Sequence, residues 1–361
     1  MNKRSPIPLY YQLKELLKEQ IEKGEIKSGD KLPSEAEMIR KYKIGRLTIR
    51  EALAQLVNEG YLEKQQGKGT FCRGIPQQEG RSIHVLLNTS DTYFIPYYIR
   101  GINEVLSANH ANFIFYDTRD NADEIAQILE TLLQKETAGI IIQASEDTGR
   151  VPLRMGEALG EFKARGIPYI FLDHRYDALD ASHVSVDYVK GGFIGAEHLI
   201  RLGHKKICGI FIRGNKESRD RKKGFLQACL QYGLNPADVR MLYMQRDESR
   251  FESELLSALG GRDGATALVC FNDSVAIKCM GIARRNGFRI PEDISITGFD
   301  DTFLAETAEI PLTSISHPKD ALAGMAAEKL LGAIRGVQDW PFGHVFEPGL
   351  TIRKSTGSAS C

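Results

Sequence analysis

The sequence predicts a multidomain protein, with a small N-terminal α+β head followed by a larger, two-lobed α/β body. Residues 34–71 have the pattern of a short helix, a turn, a second helix and a β-hairpin. From residue 82 onward, apolar runs of strand length alternate with amphipathic stretches of helix length. That alternation is typical of parallel strands covered by helices. Roughly 280 residues exceed the size of one simple core, so we expect two lobes.

The charge is unevenly distributed along the 361 residues, although the chain as a whole is neutral. Residues 1–73 hold 15 Lys and Arg against 10 Asp and Glu, a net charge of +5, so the remainder carries −5. A basic head suits an anionic partner, although solvated charged faces alone can give the same balance.

Signatures of several other protein classes are absent from the sequence. The six cysteines include no C-x-x-C pair, which predicts core packing in a reducing compartment. Because no segment resembles a signal peptide or a membrane-spanning helix, we expect a cytoplasmic protein with no membrane partner. The sequence also lacks a G-x-S-x-G elbow, a Walker loop, a G-x-G-x-x-G after a strand and an H-E-x-x-H motif. We therefore expect no enzymatic activity, no cofactor and no metal.

The head begins with a predicted helix over 9–22, where apolar residues recur at helical spacing. Ser34 is a favourable N-cap residue and Glu37 follows three positions later, so a capping box is expected at the start of the next helix. That helix extends to about residue 42. After a turn, a third helix is predicted over 46–58, and a glycine ends it.

Two short predicted strands, 61–65 and 69–72, complete the head as a hairpin with glycines at its tip. A helix-turn-helix followed by such a hairpin is a winged helix-turn-helix, which inserts its second helix into the major groove of DNA. The start of that helix offers Arg46, Leu47, Thr48, Arg50 and Glu51 to the groove. Arginine can bind guanine edges or phosphates, and a lysine at the hairpin tip can reach a phosphate.

Four segments of the head stand out: LPSE at 32–35, RLTIREAL at 46–53, EG at 59–60 and GKGTF at 67–71. Together they resemble the winged-helix head of the GntR family. Gly45 and Ala36 depart from its pattern, which usually has Ser and a basic residue there. A GntR-like fold used for protein contacts is the alternative. The resemblance implies DNA contacts from Ser34, Glu35, Arg46, Thr48, Arg50, Gln66, Gly67 and Lys68.

Polar side chains follow several predicted strands of the body, after a polar linker at 74–81. They are Asp173-His174-Arg175, Asn272-Asp273 and Asp300-Asp301. Each is also an ordinary turn or helix-cap residue, and for Asp273 alone the cap is the preferred interpretation. Several such groups that converge with aromatic rings would suit a polyhydroxylated ligand.

The order of the body's motifs is also informative: RGI at 100–102, GH at 203–204, RKKGF at 221–225, NDSVA at 272–276, IPEDIS at 290–295, GFDD at 298–301 and PLT at 311–313. These motifs resemble the LacI-family effector domain, which has a periplasmic-binding-protein-like fold. His317 stands where that family more often has Gln. The resemblance implies effector contacts, to which we add Arg175 from its place after a strand: Tyr93, Phe94, Asp173, Arg175, Arg221, Asn272, Asp300 and His317.

In this fold the chain crosses between lobes three times, and we expect the crossings near His174, near 313–317 and near Trp340. The predicted winged-helix domain is therefore 1–73, the linker 74–81 and the body 82–361. Lobe 1 would comprise 82–173 and 317–340, and lobe 2 would comprise 174–316 and 341–361. No leucine-heptad tail follows the body, so a homodimer is expected rather than a tetramer.

A GntR head on a LacI-type body implies a transcriptional repressor. It would bind a pseudo-palindromic double-stranded DNA operator as a homodimer, and a sugar effector would release it. L-arabinose is the first candidate sugar, and the alternatives are another sugar or an activator-type response. Two rival classes match less well. A GntR head fused to a pyridoxal-phosphate enzyme needs a longer body with a Schiff-base lysine, and a sugar-transport protein needs a signal peptide.

Overall fold

The chain forms two units in the computed structural model, residues 1–81 and 82–361. The predicted linker at 74–81 lies outside the residues that the structure describes. In the described part of the chain, no helix combines the length and the apolar character needed to cross a membrane. The described residues are 8–58, 60–65, 68–73, 82–89, 93–145, 151–173, 175–176, 178–244, 248–261, 263–337 and 339–359.

The head contains the predicted helices and hairpin, each within a residue or so of its expected bounds. β1 and β2 pair antiparallel, and a bridge from Lys31 to Phe71 adds a short extended segment beside them. Buried Leu13, Met38, Ile49 and Leu56 hold the three helices together. The elements are α1 (Leu9–Glu22), α2 (Glu35–Tyr42), α3 (Arg46–Asn58), β1 (Leu62–Gln65) and β2 (Gly69–Cys72).

The body alternates strands and helices over most of its length, as its apolar pattern predicts. A short 3-10 turn, Pro236–Asp238, precedes the strand that begins at Val239. The elements are β3 (Ser82–Leu87), α4 (Ile95–Ala108), β4 (Phe113–Asp117), α5 (Ala122–Leu132), β5 (Thr137–Ile142), α6 (Leu153–Ala164), β6 (Tyr169–Leu172), β7 (Ser182–Val186), α7 (Tyr188–Arg201), β8 (Ile207–Ile212), α8 (Lys216–Gln231), β9 (Val239–Met244), α9 (Glu248–Leu259), β10 (Ala267–Cys270), α10 (Asp273–Arg285), β11 (Ser295–Asp300), α11 (Phe303–Thr307), β12 (Thr313–Ser316), α12 (Lys319–Ile334), β13 (Gly343–Phe346) and β14 (Gly349–Thr351).

Two six-stranded sheets form the two lobes of the body. Their strand orders are β4-β3-β5-β6-β7-β13 and β9-β8-β10-β11-β12-β14. Neighbouring strands are parallel, except that β14 runs antiparallel to β12. In the first lobe α12 packs against α4 and the sheet, and in the second lobe α7 packs against α8. This arrangement confirms the predicted fold class of a winged-helix head and a two-lobed α/β body.

Two of the three predicted crossings between the lobes are wrong. The crossing predicted near His174 lies at Asp187, because β7 pairs with β6 and still belongs to the first sheet. The crossing predicted near Trp340 lies at 347–348, because β13 pairs with β7 in the first sheet and β14 pairs with β12 in the second. The middle crossing, at 317–318, separates β12 from α12 and agrees with the prediction.

Candidate DNA-binding face and effector cavity

The N-terminal end of α3 carries an exposed cluster of charged side chains. The side chains of Arg46 and Arg50 are 63% and 58% exposed, and both reach the carboxylate of Glu35 on α2. Arg50 Nε donates to the two Glu35 oxygens at 2.9 and 3.1 Å, and Arg46 Nε lies 3.3 Å from Oε2. Glu35 therefore orients the two arginines, and its own contact with DNA stays a prediction.

The predicted capping box fixes α2 in front of these arginines. Ser34 Oγ accepts from the Glu37 N–H at 3.3 Å, and Glu37 Oε2 accepts from the Ser34 N–H at 2.7 Å. Lys43 then reverses the chain with a φ of +53°. The carboxylate of Glu37 has a lowered pKa because the Ser34 side chain and backbone donate to it. The capping box is confirmed, and through Glu35 it positions the start of α3.

The other described residues predicted to face DNA differ in their exposure. Leu47 is 81% exposed next to Arg46, and an apolar side chain there can contact a thymine methyl group. Thr48 is half-buried. At the hairpin, Lys68 is exposed and its N–H donates to the carbonyl of Gln65 at 3.1 Å. The predicted contacts Gln66 and Gly67 lie outside the described residues.

A polar cavity lies between the two lobes of the body. The cavity is small, with a volume of about 10 Å³. That is room for about one water molecule, so a larger ligand requires the lobes or side chains to move. The lining contains seven predicted effector residues and four others: Tyr93, Phe94, Tyr98, Asp173, Tyr188, Glu217, Arg221, Phe271, Asn272, Asp300 and His317.

Asp300 is the centre of charge in this cavity. It ends β11, is 5% exposed and has a φ of +99°. Its Oδ2 accepts from the Tyr93 hydroxyl at 2.6 Å, and its Oδ1 lies 3.3 Å from Arg221 Nη2 and 3.4 Å from His317 Nε2. Burial acts to raise its pKa, but Arg221 and His317 outweigh burial and hold the pKa well below its usual range. Asp300 is therefore a buried carboxylate that stays ionised.

The backbone conformation of Asp300 is one that non-glycine residues seldom adopt. Such strain costs about 1–3 kcal/mol and persists only where surrounding contacts impose it. Here the buried Lys319 ammonium donates to the Asp300 carbonyl and, at 3.3 Å, to the His317 carbonyl. The crossing segment at 317–318 and the strand that carries Asp300 are thus fixed together.

Arg221 pairs with Asp300 and is surrounded by three aromatic rings. Its guanidinium carbon is 3.7, 4.6 and 4.9 Å from the ring centroids of Phe299, Phe271 and Tyr188. Glu217, four residues earlier on α8, accepts from Nη2 at 2.9 Å. Burial acts to lower the pKa of Arg221, but Glu217 and Asp300 raise it overall. The guanidinium is fully charged and donates into the cavity.

Close packing of α7 on α8 brings Arg221 to this position. A Cβ on Gly192 would lie 2.0 Å from the Arg221 carbonyl oxygen, and one on Gly224 would lie 1.8 Å from that of Val189. Only glycine allows backbones to approach so closely. The two helices therefore deliver Tyr188 and Arg221 to one side of the cavity.

Asp173 supplies the second buried carboxylate, from the first lobe. It follows β6 with a φ of +67°. Oδ2 accepts from the Tyr98 hydroxyl at 2.5 Å, and Oδ1 accepts from the Tyr188 hydroxyl. Burial, reinforced by Asp173, raises the pKa of both tyrosines well above 10.0, so both remain hydrogen-bond donors. Asp300 and Asp173 thus each accept a hydrogen bond from a tyrosine hydroxyl group.

The remaining predicted effector residues have different surroundings. Asn272 Oδ1 caps α10 by accepting from Val275 N–H at 2.9 Å, which leaves its amide nitrogen as the donor for a ligand. The Phe94 ring meets the rings of Tyr93 and Tyr98 edge-on, with centroids 5.5 Å apart in each pair. Arg175 Nη1 lies 3.0 Å from His183 Nδ1, and Arg175 is not among the described residues that line the cavity.

Asp273, beside the cavity, has a structural role, but not the helix-cap role that the sequence suggested, because Asn272 caps α10. It is fully buried, and its carboxylate accepts from Ser314 Oγ, Thr302 N–H and Thr302 Oγ1 at 2.5, 2.9 and 3.1 Å. It therefore joins α10 to the segments that follow β11 and begin β12. Burial, and then the negative charge of Asp300, raise its pKa from 3.8 to about 7.

This shift predicts a pH dependence of stability. Because the folded-state pKa lies above the unfolded one, protonation of Asp273 stabilises the fold; this stabilisation is complete below about pH 4 and is lost as pH rises through about 7. In Asp273→Asn the free energy of unfolding should fall less between pH 5 and pH 8 than in the parent, by up to about 3 kcal/mol. Denaturant titrations followed by circular dichroism measure the free energy of unfolding at each pH. If it depends on pH equally in the variant and the parent, the raised pKa of Asp273 is contradicted.

Comparison with known proteins agrees with both parts of the chain. The family model described as bacterial regulatory proteins, gntR family, matches residues 9–72, and that of a periplasmic binding protein-like domain matches residues 196–356. An arabinose metabolism transcriptional repressor from Geobacillus stearothermophilus is 32% identical, over 98% of this chain and 99% of the relative. One from Halalkalibacterium halodurans is 30% identical, over 97% of each.

The chain belongs to the transcriptional repressors with a GntR head and a LacI-type body. These relatives are repressors rather than enzymes, which confirms the expectation that this repressor is not an enzyme. The body of the repressor also has a solved counterpart, a LacI family transcriptional regulator from Enterococcus faecium crystallised with bound ribose. The two share 24% identity with a TM-score of 0.66, over 78% of this chain and 100% of the other. That likeness supports the fold of the body.

Proposed function

We propose that this repressor binds a pseudo-palindromic operator as a homodimer and releases it when a sugar enters the cavity between the lobes of its body. L-arabinose is the first candidate sugar. The observation that carries the proposal is the buried pair of Asp300 and Arg221, caged by aromatic rings and faced by a second carboxylate, Asp173.

The chemistry of this cavity matches a sugar. The carboxylates of Asp300 and Asp173 each accept a tyrosine O–H, and a sugar hydroxyl makes the same kind of bond. Arg221 can donate to ring or hydroxyl oxygens, and aromatic faces cover the apolar side of a sugar ring. The Tyr93 hydroxyl donates to an Asp300 oxygen that would otherwise accept from a ligand hydroxyl. A bound sugar therefore displaces Tyr93 or draws it into a new contact.

The choice of L-arabinose rests on the two relatives, both arabinose metabolism transcriptional repressors. At 30% and 32% identity, single contacts that select one hydroxyl's stereochemistry can differ between relatives. Ribose, bound in the Enterococcus faecium regulator, is thus the natural comparison sugar.

The response depends on a difference in sugar affinity between two states of the body. A sugar that bound both states equally would shift nothing, however tightly it bound. Contacts from both lobes meet at Asp300: Tyr93 comes from the first lobe, and Arg221 comes from the second. A ligand that replaces the contact between Tyr93 and Asp300 changes the interaction between the lobes. The two states of the body therefore differ in their affinity for the sugar.

A gel-shift titration tests the proposal. The purified protein first selects a duplex from a randomised library, and the selected duplex serves as the operator probe. We expect a retarded complex that L-arabinose dissolves, whereas D-ribose, D-xylose and D-glucose at the same concentration leave it intact. Sedimentation of the complex should give two protein chains per duplex.

Other outcomes of that titration contradict specific parts of the proposal. Absence of any retarded complex would overturn DNA binding. Release by another sugar would replace L-arabinose as the effector, and tighter binding with sugar would indicate an activator-type response.

A further inference from the structure

A second polar cavity lies in the second lobe, at the C-terminal ends of β8 and β9 and along the first turns of α8. Its water-accessible volume is about 220 Å³, and it shares no lining residue with the effector cavity. The polar residues among its lining are Arg213, Ser218, Arg219, Lys222 and Tyr243. Three of the five are cations and the other two carry hydroxyl groups.

Two of the cations in this cavity contact the same aromatic ring, and among the described residues none of the three has an acidic partner. The Arg213 guanidinium and the Lys222 ammonium lie 4.2 and 5.7 Å from the centroid of the same Tyr243 ring. Across the described ranges of the chain, none of the three cations has a carboxylate within 4.0 Å. Asp220, the acid next to Arg219, pairs with Lys216 at 3.1 Å. Like charges held together in this way repel one another, and an anion between them relieves the repulsion.

The two hydroxyl groups also offer protons to the cavity. Ser218 is 2% exposed, and its Oγ accepts from the Ile212 N–H at 2.8 Å. The Tyr243 hydroxyl oxygen accepts from Lys222 Nζ at 3.2 Å. In the described part of the chain neither hydroxyl donates its own proton, so both protons are available to an acceptor. The five polar side chains of the lining therefore present positive charge and hydroxyl donors, and none of the five is negatively charged.

We propose that this cavity binds a phosphate group, either inorganic phosphate or the phosphate of a small phosphorylated metabolite. Arginine binds phosphate with two parallel hydrogen bonds, lysine adds a point charge, and hydroxyls complete the shell of donors. The volume holds a phosphate group and part of the molecule that carries it.

The site is separate from the sugar cavity but adjoins it. Ser218 and Lys222 each follow, by one residue on α8, the cavity residues Glu217 and Arg221. The two sites therefore occupy neighbouring faces of one helix. The proposal does not depend on which sugar the first cavity binds.

Isothermal titration calorimetry on the full-length protein tests the phosphate site, with inorganic phosphate, glucose 6-phosphate and sulfate as probes. We expect one site per chain for at least one phosphate probe, and Arg213→Gln combined with Arg219→Gln should weaken it by about tenfold or more. Lys222→Gln is a second test of the same site. Tighter binding of glucose 6-phosphate identifies a phosphorylated metabolite as the ligand, whereas equal affinities identify phosphate itself.

The matched control is Arg201→Gln combined with Arg285→Gln, which removes two paired, exposed arginines from the same lobe. It should bind the phosphate probe as the parent does. The proposal is overturned if the parent gives no heat with either phosphate probe, if sulfate binds as tightly, or if the control loses as much affinity as the cavity variant. Unchanged thermal unfolding of the cavity variant shows that any lost affinity comes from the site.

Discussion

Replacing Asp300 by Asn should leave operator binding intact and raise the sugar concentration needed for release by about 100-fold or more. The carboxylate is the ionised acceptor at the centre of the cavity, held by Tyr93 and Arg221. Hydrogen bonds to a charged group contribute about 1.5–3 kcal/mol each, and a sugar hydroxyl bound to an amide oxygen loses much of this. Asparagine keeps the shape of the side chain, so the effect reports its charge. A gel-shift titration with L-arabinose measures the change.

Asp301→Asn is the matched control for this substitution. The neighbouring carboxylate accepts from Thr351 Oγ1 at 2.6 Å and pairs with Arg353 at 2.7 Å, and it does not line the cavity. The control should respond to sugar as the parent does. Equal sugar responses in Asp300→Asn and the parent would mean that the effector binds elsewhere. Loss of operator binding in Asp300→Asn would mean that the buried pair with Arg221 is needed for folding.

The head could be predicted from sequence almost residue by residue because its signals are local. The Ser34 and Glu37 capping box and the helix over 46–58 need only neighbouring residues to form, and both are present as predicted. What sequence did not indicate is the long-range link from Glu35 to Arg50, fifteen residues apart. That link depends on the angle between α2 and α3, which hydrophobic spacing does not encode.

Sequence indicated several cavity residues that follow strands, and the resemblance to the LacI family added Arg221 on α8, but the other lining residues within helices were missed. Asp173 and Asp300 were identifiable because ligands in α/β folds bind beyond the carboxyl ends of strands. Tyr98, Tyr188 and Glu217 have helical spacing and match an ordinary buried face. For Glu217 one signal existed: it precedes Arg221 by four residues, the spacing of a helical ion pair.

The positions of the lobe crossings required pairing information that the sequence does not contain. The segment Ser182–Val186 alternates polar and apolar residues, a weaker pattern than the apolar run at Tyr169–Leu172, and sequence inspection did not identify it as a strand. Its partners lie on both sides, β6 and the distant β13. Only these long-range pairings show that both strands extend the first sheet.

Replacing Arg50 by Ala should reduce operator affinity by about 100-fold or more while leaving sugar binding unchanged. One lost arginine contact costs about 1–3 kcal/mol, and a symmetric dimer would lose it twice. The side chain is 58% exposed, and its pair with Glu35 is a surface ion pair that contributes at most about 1 kcal/mol to stability. Gel shift measures the first effect, and calorimetry with sugar measures the second.

The salt dependence of binding identifies the kind of contact that Arg50 makes. If it binds phosphate, the slope of log K against log salt should become shallower by about 2 for the dimer; a base contact would leave the slope closer to the parent's and relax sequence preference instead. Lys23→Ala, which removes one exposed positive charge that pairs with Glu19 at the end of α1, is the control and should change affinity little. If Arg50→Ala lowers the melting temperature of the head, and Lys23→Ala loses as much operator affinity, then Arg50 supports the structure of the head rather than DNA binding.

Because Glu35 holds both Arg46 and Arg50, their effects on operator binding should be coupled. The double variant Arg46→Ala with Arg50→Ala should therefore lose less operator affinity than the sum of the two single losses, which gel shift measures.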